Sequence, residues 1–249
     1  MVFDSLLNPV LYPLLDSIGY FWTLLILSLV ITVITTVIYK YTTNQSLMKD
    51  LKNEQKEFQK EIKELRNDPD KAMQVQKKMM ETNSKYMMHS FKPMLFTFLP
   101  VIIFFGWMNI HLGYYPLMPD QDFTITMTFD EGVSGDVLLK LPESITSVSD
   151  LNQTITANQV SWILKGSSGE YLLNYNFKEI TYSNQILIGN EKSYKEPLTQ
   201  INKNGVKAIK VDLKPVLFNF WLHEFGWLGT YIIFSLILSS LLRKIMKIY

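Results

Sequence analysis

The sequence predicts an α-helical membrane protein with three transmembrane helices, a cytosolic antiparallel coiled-coil hairpin and an extracytoplasmic antiparallel β-sandwich insert. Three observations lead there. Residues 17–39, 93–119 and 225–242 contain no charged side chain, and roughly 20 apolar helical residues cross a hydrocarbon core about 30 Å thick. Between the first two blocks the chain is dense in Lys and Glu at helical spacing. Between the last two it alternates with period two. The averages, 47% hydrophobic and 19% charged over 249 residues with a net charge of +1, conceal this segmentation. The absence of cysteine excludes disulfide scaffolds, thiol catalysis and Cys-ligated zinc or iron–sulfur centres.

Residues 1–16 carry Asp4 and Asp16 and no Lys or Arg, which reads as an extracytoplasmic segment rather than a cleaved signal peptide. The first span, 17–40, opens with Tyr20 and Trp22 and closes with Tyr39 and Lys40, side chains that anchor at membrane interfaces. Lys and Arg number 0 before this span, 12 from Lys40 to Lys92, 9 from Lys140 to Lys214 and 3 after the third span. Charges near span ends decide orientation. Lys40, Lys85, Lys92, Arg243, Lys244 and Lys247 therefore place the N-terminus outside and the C-terminus in the cytoplasm of a multi-pass cell-membrane protein.

Segment 41–92 is then cytosolic. Leu51, Gln55, Phe58, Ile62 and Leu65 form a short heptad-type seam. Asp68 as N-cap and Pro69 in a first helical turn divide the segment into two arms. In the second arm Met73, Met80 and Met87 recur every seven residues. Two readings stay open: the stripe is the seam of the hairpin, or it is a surface of flexible thioethers that repacks around varied apolar segments. Met79 and Met88 fall off the stripe and are expected to touch a client or partner first.

The second span, 93–118, has Thr97 as its only hydroxyl, and Pro100 is expected to interrupt its backbone. Ser28, Thr32 and Thr35 share one face of the first span with Thr36 beside them, and Ser235 and Ser239 lead to Arg243 in the third, placed in 221–249 with its basic tail. With the N-terminus outside, all of these hydroxyls lie in the cytosolic half of the bilayer. Back-bonding to the i−4 carbonyl is one explanation. The other is a groove open to the cytosol and sealed toward the outside, with Lys40, Arg243 and Lys244 at its mouth. A half-depth polar surface of that kind shortens the apolar path for a charged flank, which costs about 2.5–3.5 kcal/mol at the centre of a span.

From Asp122, within 119–220, about eight short runs alternate apolar and polar residues between glycine turns, the pattern of a small antiparallel β-sandwich. Trp162, Tyr171, Tyr175 and Phe177 are expected in its core or at its edge rather than as a ligand platform. No enzymatic constellation is visible. His89, His111 and His223 lie in separate segments. A metal site from His111, His223 and Glu224 is conceivable, but interfacial placement explains them better. Phosphate-loop and nucleophile-elbow motifs are absent, and the basic hairpin lacks the stacking aromatics of a nucleic-acid binder. The expectation is a non-enzyme with no cofactor, no metal and no direct nucleic-acid readout.

The order of span, charged hairpin, span, external segment and span resembles the archaeal YidC-like membrane proteins, of the superfamily that holds YidC, the mitochondrial Oxa insertase and the Get receptor subunit. DPDKAMQVQKKMMETNSKYMMHSFKPMLFTFLPVIIFFGW is similar to that family's second hairpin arm and second span, and FGWLGTYIIFSLILSSLLRKIM to its third. The resemblance implies a membrane protein insertase or chaperone without covalent chemistry. A cytosol-facing hydrophilic groove would receive nascent membrane proteins, and the hairpin would contact the client, the ribosome or other translocation components. YidC carries an intramembrane arginine in its groove. No span here holds a charge, so the work would fall to hydroxyls and to Lys40, Arg243 and Lys244. The alternative is a membrane receptor or scaffold whose external β-domain binds a ligand or partner.

Overall fold

The computed structural model describes residues 4–189, 192–220 and 223–248. The chain divides into two units, residues 1–106 with 228–249, and residues 107–227.

The first unit is helical. Helix α1 runs Asp4–Thr42 but is broken at Gly19, whose φ of 76° and ψ of 179° lie where a Cβ is not tolerated. The segment expected to precede the membrane is therefore helical as well, and the break separates it from the helix that continues from Tyr20. Leu11 and Leu15 form the buried side of this segment, while Leu6 and Val10 are exposed.

Helix α2, Gln45–Glu64, is capped by Asn44, whose side chain accepts from the Leu47 N–H at 3.2 Å. It ends in a short turn at 65–68, and α3 follows as Pro69–His111. Asp68 Oδ1 accepts from the Lys71 N–H at 3.2 Å and Oδ2 sits 2.9 Å from Lys71 Nζ. These contacts hold the Asp68 carboxyl below the usual carboxylate range. Across the two arms Gln55 Nε2 donates to Asn83 Oδ1 at 2.7 Å. On α2 and its C-cap the shielded positions include Met48, Leu51, Gln55, Phe58, Ile62 and Leu65, and on the facing part of α3 they include Ala72, Val75, Met79, Thr82 and Tyr86. The α3 set advances in alternating steps of three and four, as a heptad seam does.

This register settles the orientation of the methionines. Met73, Met80 and Met87 are 66%, 63% and 70% exposed, and Met88 is 73% exposed, so the seven-residue stripe is not the seam. Met79, expected outside the seam, lies half-buried on it. The seam of α3 is one residue out of phase with the methionines, and a one-residue step turns a helical side chain by about 100°.

Nor does Pro100 interrupt α3, which continues through Pro93 and Pro100 to His111 as one 43-residue helix. Each proline removes one N–H from the ladder, a defect that membrane helices tolerate when neighbouring groups compensate. Helix α4 is Trp227–Ile245. The expected start of the third span, at 221–222, lies outside the described residues, as do 1–3 and 249. All three long helices are apolar enough to cross a membrane. Edge-to-face rings join them at one end, Phe21 on Phe234 at 5.7 Å and Phe105 on Tyr231 at 4.8 Å. The outward side chains Phe96, Phe98, Leu99 and Ile102 of α3, and Ile232, Leu236 and Ile237 of α4, are exposed, as lipid-facing residues are.

The second unit is built on two antiparallel sheets. Strands β1 (Phe123–Phe129), β3 (Ile145–Ser147), β5 (Gln159–Gly166), β8 (Leu198–Lys203) and β9 (Val206–Val211) form one, in the order β3-β5-β1-β9-β8. Strands β2 (Asp136–Lys140), β4 (Asn152–Thr154), β6 (Gly169–Phe177) and β7 (Ile180–Ile188) form the other, in the order β4-β2-β6-β7. A third, two-stranded piece pairs β10 (Phe218–Phe220) with β11 (His223–Phe225), so strand structure extends past the expected limit at 220.

The inward residues of both sheets share one core. Phe129 of β1 meets Phe177 of β6 at 5.2 Å, and Trp162 of β5 meets Tyr175 of β6 at 5.4 Å. Trp162 satisfies its indole N–H on the Leu151 carbonyl at 3.1 Å. Trp162, Tyr175 and Phe177 are buried as expected, and Tyr171 is half-buried at the margin. Burial pushes the Tyr175 phenol far up, so it stays protonated and donates to Asn184 Oδ1 at 2.8 Å. Where the chain enters and leaves the sheets it pairs with itself: the Tyr115 N–H donates to the Lys214 carbonyl at 2.9 Å, and the Val216 N–H to Gly113 at 3.0 Å.

Candidate functional site

The first span has one buried face, built from Thr23, Leu24, Leu27, Ser28, Ile31, Thr32 and Thr36, none more than 6% exposed. These residues repeat at steps of three and four and so form one stripe. Four of its seven members are hydroxyl residues. Three of their donors are spent on the helix itself: Thr23 on the Gly19 carbonyl at 2.8 Å, Ser28 on Leu24 at 2.7 Å and Thr32 on Ser28 at 2.6 Å. Thr35, half-buried beside them, donates to Ile31 at 2.9 Å. Back-bonding thus accounts for these donors and leaves each oxygen able to accept.

The remaining expected groove residues are less enclosed. Thr97 and Ser235 are half-buried and donate to the Met94 and Ile232 carbonyls at 2.9 and 3.0 Å. Ser239 is half-buried. Thr230, in the other half of α4, is fully buried, and its Oγ1 has no hydrogen-bond partner among the described residues.

At the far end of the stripe three helices meet. The Arg243 guanidinium of α4 lies 4.8 Å from the centre of the Tyr39 ring of α1. Tyr86 of α3 lies beside Tyr39, and burial, then its interaction with Tyr39, raise the Tyr86 phenol above its ordinary range while Arg243 opposes the rise. Of the three cations expected at a groove mouth, Arg243 is therefore joined to α1. Lys40 is half-buried at the same end of α1, and Lys244 is exposed. Tyr86 is the member that the spacing of hydroxyls does not reveal. The signal for it is the α3 seam, on which it is the last position. Stacking over a ring occupies no N–H of the guanidinium, whose five donors fan out in its plane.

The histidines take no part. His111 Nδ1 is 2.9 Å from the Lys192 carbonyl oxygen and its ring lies 4.5 Å from that of Trp107, while His223 and Glu224 are exposed on β11. No group of three His, Asp or Glu side chains converges as a metal site among the described residues.

Residues 4–164, more than half of the chain and including α1, α2, α3 and the first strands, match the family model described as integral membrane protein EMC3/TMCO1-like. The chain belongs to the EMC3/TMCO1-like family. That family is of the insertase type and falls within the YidC/Oxa/Get superfamily, and the three apolar helices agree with a multi-pass membrane protein that has the bilayer as its surroundings. No curated protein and no solved structure matches the chain. The family match covers the α1 hydroxyl stripe, Tyr39 and Tyr86, whereas Arg243 comes from α4, beyond it.

Proposed function

We propose that this EMC3/TMCO1-like protein is a membrane protein insertase and chaperone of the archaeal YidC-like kind. It works without covalent chemistry, cofactor or metal. Its N-terminus and sheet domain are extracytoplasmic, α2 and α3 form a cytosolic coiled-coil hairpin, the two larger sheets form a sandwich, and the cell membrane is its location. A client's hydrophobic segment enters beside the polar stripe of α1 through a groove open to the cytosol. Ser28, Thr32, Thr35, Thr36, Thr97, Ser235 and Ser239 offer hydroxyl oxygens there, and Lys40, Arg243 and Lys244 line the mouth.

The observation that carries this reading is the buried, hydroxyl-bearing face of α1 ending at the Tyr39–Arg243–Tyr86 junction. An apolar span has no need of such a face for membrane solubility. A polar half-span surface lowers the cost of moving a client's charged flank, and the junction holds a guanidinium where acidic flanks arrive. The exposed stripe of Met73, Met80 and Met87, with Met88 beside it, offers the client or ribosome a deformable apolar surface before entry. Met79, on the seam, supports the hairpin from within.

Photocrosslinkers placed singly at Thr32, Thr35, Ser239, Met73 and Met80 test this against ribosome-bound nascent membrane proteins. Client adducts are expected at all five positions, with those at Met73 and Met80 preceding those at Thr32 and Thr35 in time. If none forms in the spans and insertion survives deletion of 45–86, the insertase reading fails.

A further inference from the structure

The edges of the two larger sheets are not alike. β3 and β4 are three residues long, and β8 shifts register between Gln200 and Lys203 and carries that lysine. Short strands, irregular register and lysine all keep an edge from pairing with another chain. β7 has none of these protections. It is nine residues, ITYSNQILI, without charge or proline, in unbroken register against β6. Among the described residues its outer edge is met by a bridge only at its last position, where Leu117 pairs with Ile188. From 180 to 187 it presents alternate N–H and C=O groups with no strand opposite.

A cavity of about 420 Å³ borders this edge, lined by Leu172 of β6, Ser183, Asn184 and Gln185 of β7, Thr199 of β8, and Lys195 and Glu196. That volume is in the range of ligand-binding clefts, about 300–1,000 Å³. A second observation is independent of the edge. Asn184 is only 4% exposed, and although its Oδ1 accepts from Tyr175, its Nδ2 has no hydrogen-bond partner among the described residues. Tyr182, two residues earlier on the same inward face, leaves its hydroxyl unpartnered in the same way. Buried polar atoms are normally satisfied, and two orphans on one edge strand point to an absent partner.

We propose that β7 and this cavity bind an extended, uncharged peptide segment of another protein, which adds as a further strand along 180–187 and brings a hydrogen-bond acceptor to Asn184. A continuous backbone is the ligand that satisfies a row of edge groups. It is not acidic, because Lys195 is neutralised by Glu170 at 2.7 Å and the Glu196 carboxylate also lines the cavity, and β7 itself carries no charge for a charged segment to pair with. A second copy of this chain fits less well. Two-fold pairing of β7 with itself would use both ends of the strand equally, and Leu117 already occupies the Ile188 end.

The test uses the full chain in detergent micelles and a fluorescein-labelled heptapeptide alternating threonine and valine, with a control in which alternate residues are proline. Fluorescence anisotropy is expected to show saturable binding of the first peptide and at least tenfold weaker binding of the proline control, which cannot donate to an edge. Asn184→Leu is expected to weaken binding about tenfold. Gln185→Lys, at an outward position that leaves the core intact, is expected to weaken it as much by charging the edge. Absence of binding, equal binding of the proline control, or unchanged binding by both variants overturns the proposal. So does sedimentation showing a dimer that Gln185→Lys dissociates, since the occupant would then be a second copy. No client insertion is measured, so failure here leaves the insertase reading standing, and failure of that reading leaves this one.

Discussion

Gly19 divides α1 with one residue. Its φ of 76° and ψ of 179° are available to glycine without strain, and an L side chain there costs about 1–3 kcal/mol. Gly19→Ala is expected to destabilise the bend by that amount, seen as a changed distance between spin labels at Leu6 and Ile26. Asp68 does its work at the start of α3. Its folded-state pKa is lowered from 3.8 by the Lys71 side chain first and the Lys71 N–H second. The stabilisation is therefore complete above 3.8 and lost as pH falls through the lower folded value. Hydrogen exchange at the first turn of α3 is expected to accelerate only in that acid window, and Asp68→Ala to show the fast rate at neutral pH as well. Along the α1 stripe the Ser28 and Thr32 donors are already satisfied by backbone carbonyls, so Ser28→Ala, Thr32→Val and Thr36→Val together are expected to change stability by only about 0.6 kcal/mol per site. Under the insertase reading the same triple variant lowers client crosslinking at Thr35 severalfold, which separates a functional surface from a structural one.

The two arms show what kind of information spacing carries at the level of an element. The α2 seam was legible because Leu51, Phe58, Ile62 and Leu65 are apolar in a charged background. The α3 seam was not, because Ala72, Val75, Met79, Thr82 and Tyr86 are chemically mixed and run beside a more regular methionine series. Regularity of residue type is not burial, and only the facing helix distinguishes them. Replacing Met73, Met80 and Met87 together by serine is expected to leave the hairpin within about 0.5 kcal/mol of its original stability while lowering early client adducts. Met79→Ser is expected to cost about 1–2 kcal/mol by opening the seam, read as a lower midpoint in a far-ultraviolet circular dichroism melt. Among the strands, β1 covers the run FTITMTF, whose inward residues alternate without exception. β8, LTQINK, escaped because it has no buried position and hence no apolar alternation. Ile180–Ile188 is one strand, β7, even though Asn184 interrupts its apolar pattern as a turn residue would, because Asn184 is an inward residue.

Over the whole molecule, the division into two units means that they can be perturbed separately. Trp162 is fully buried between the sheets, and Trp162→Ala is expected to cost about 3–5 kcal/mol. Near-ultraviolet circular dichroism would report loss of the sheet core, while the helical far-ultraviolet signal persists.

Composition determined the number of spans, the location of charge and the presence of a β-rich region, because whether a segment suits lipid or water is a property of that segment alone. The same holds for the hydroxyl face of α1, since helical period is local. The tertiary structure decided which methionines face outward, which tyrosine joins Arg243 and Tyr39, and which sheet edge is left open. Each of these depends on what lies opposite a side chain, and residues such as Tyr39 and Arg243, about two hundred positions apart, become neighbours only when the helices pack.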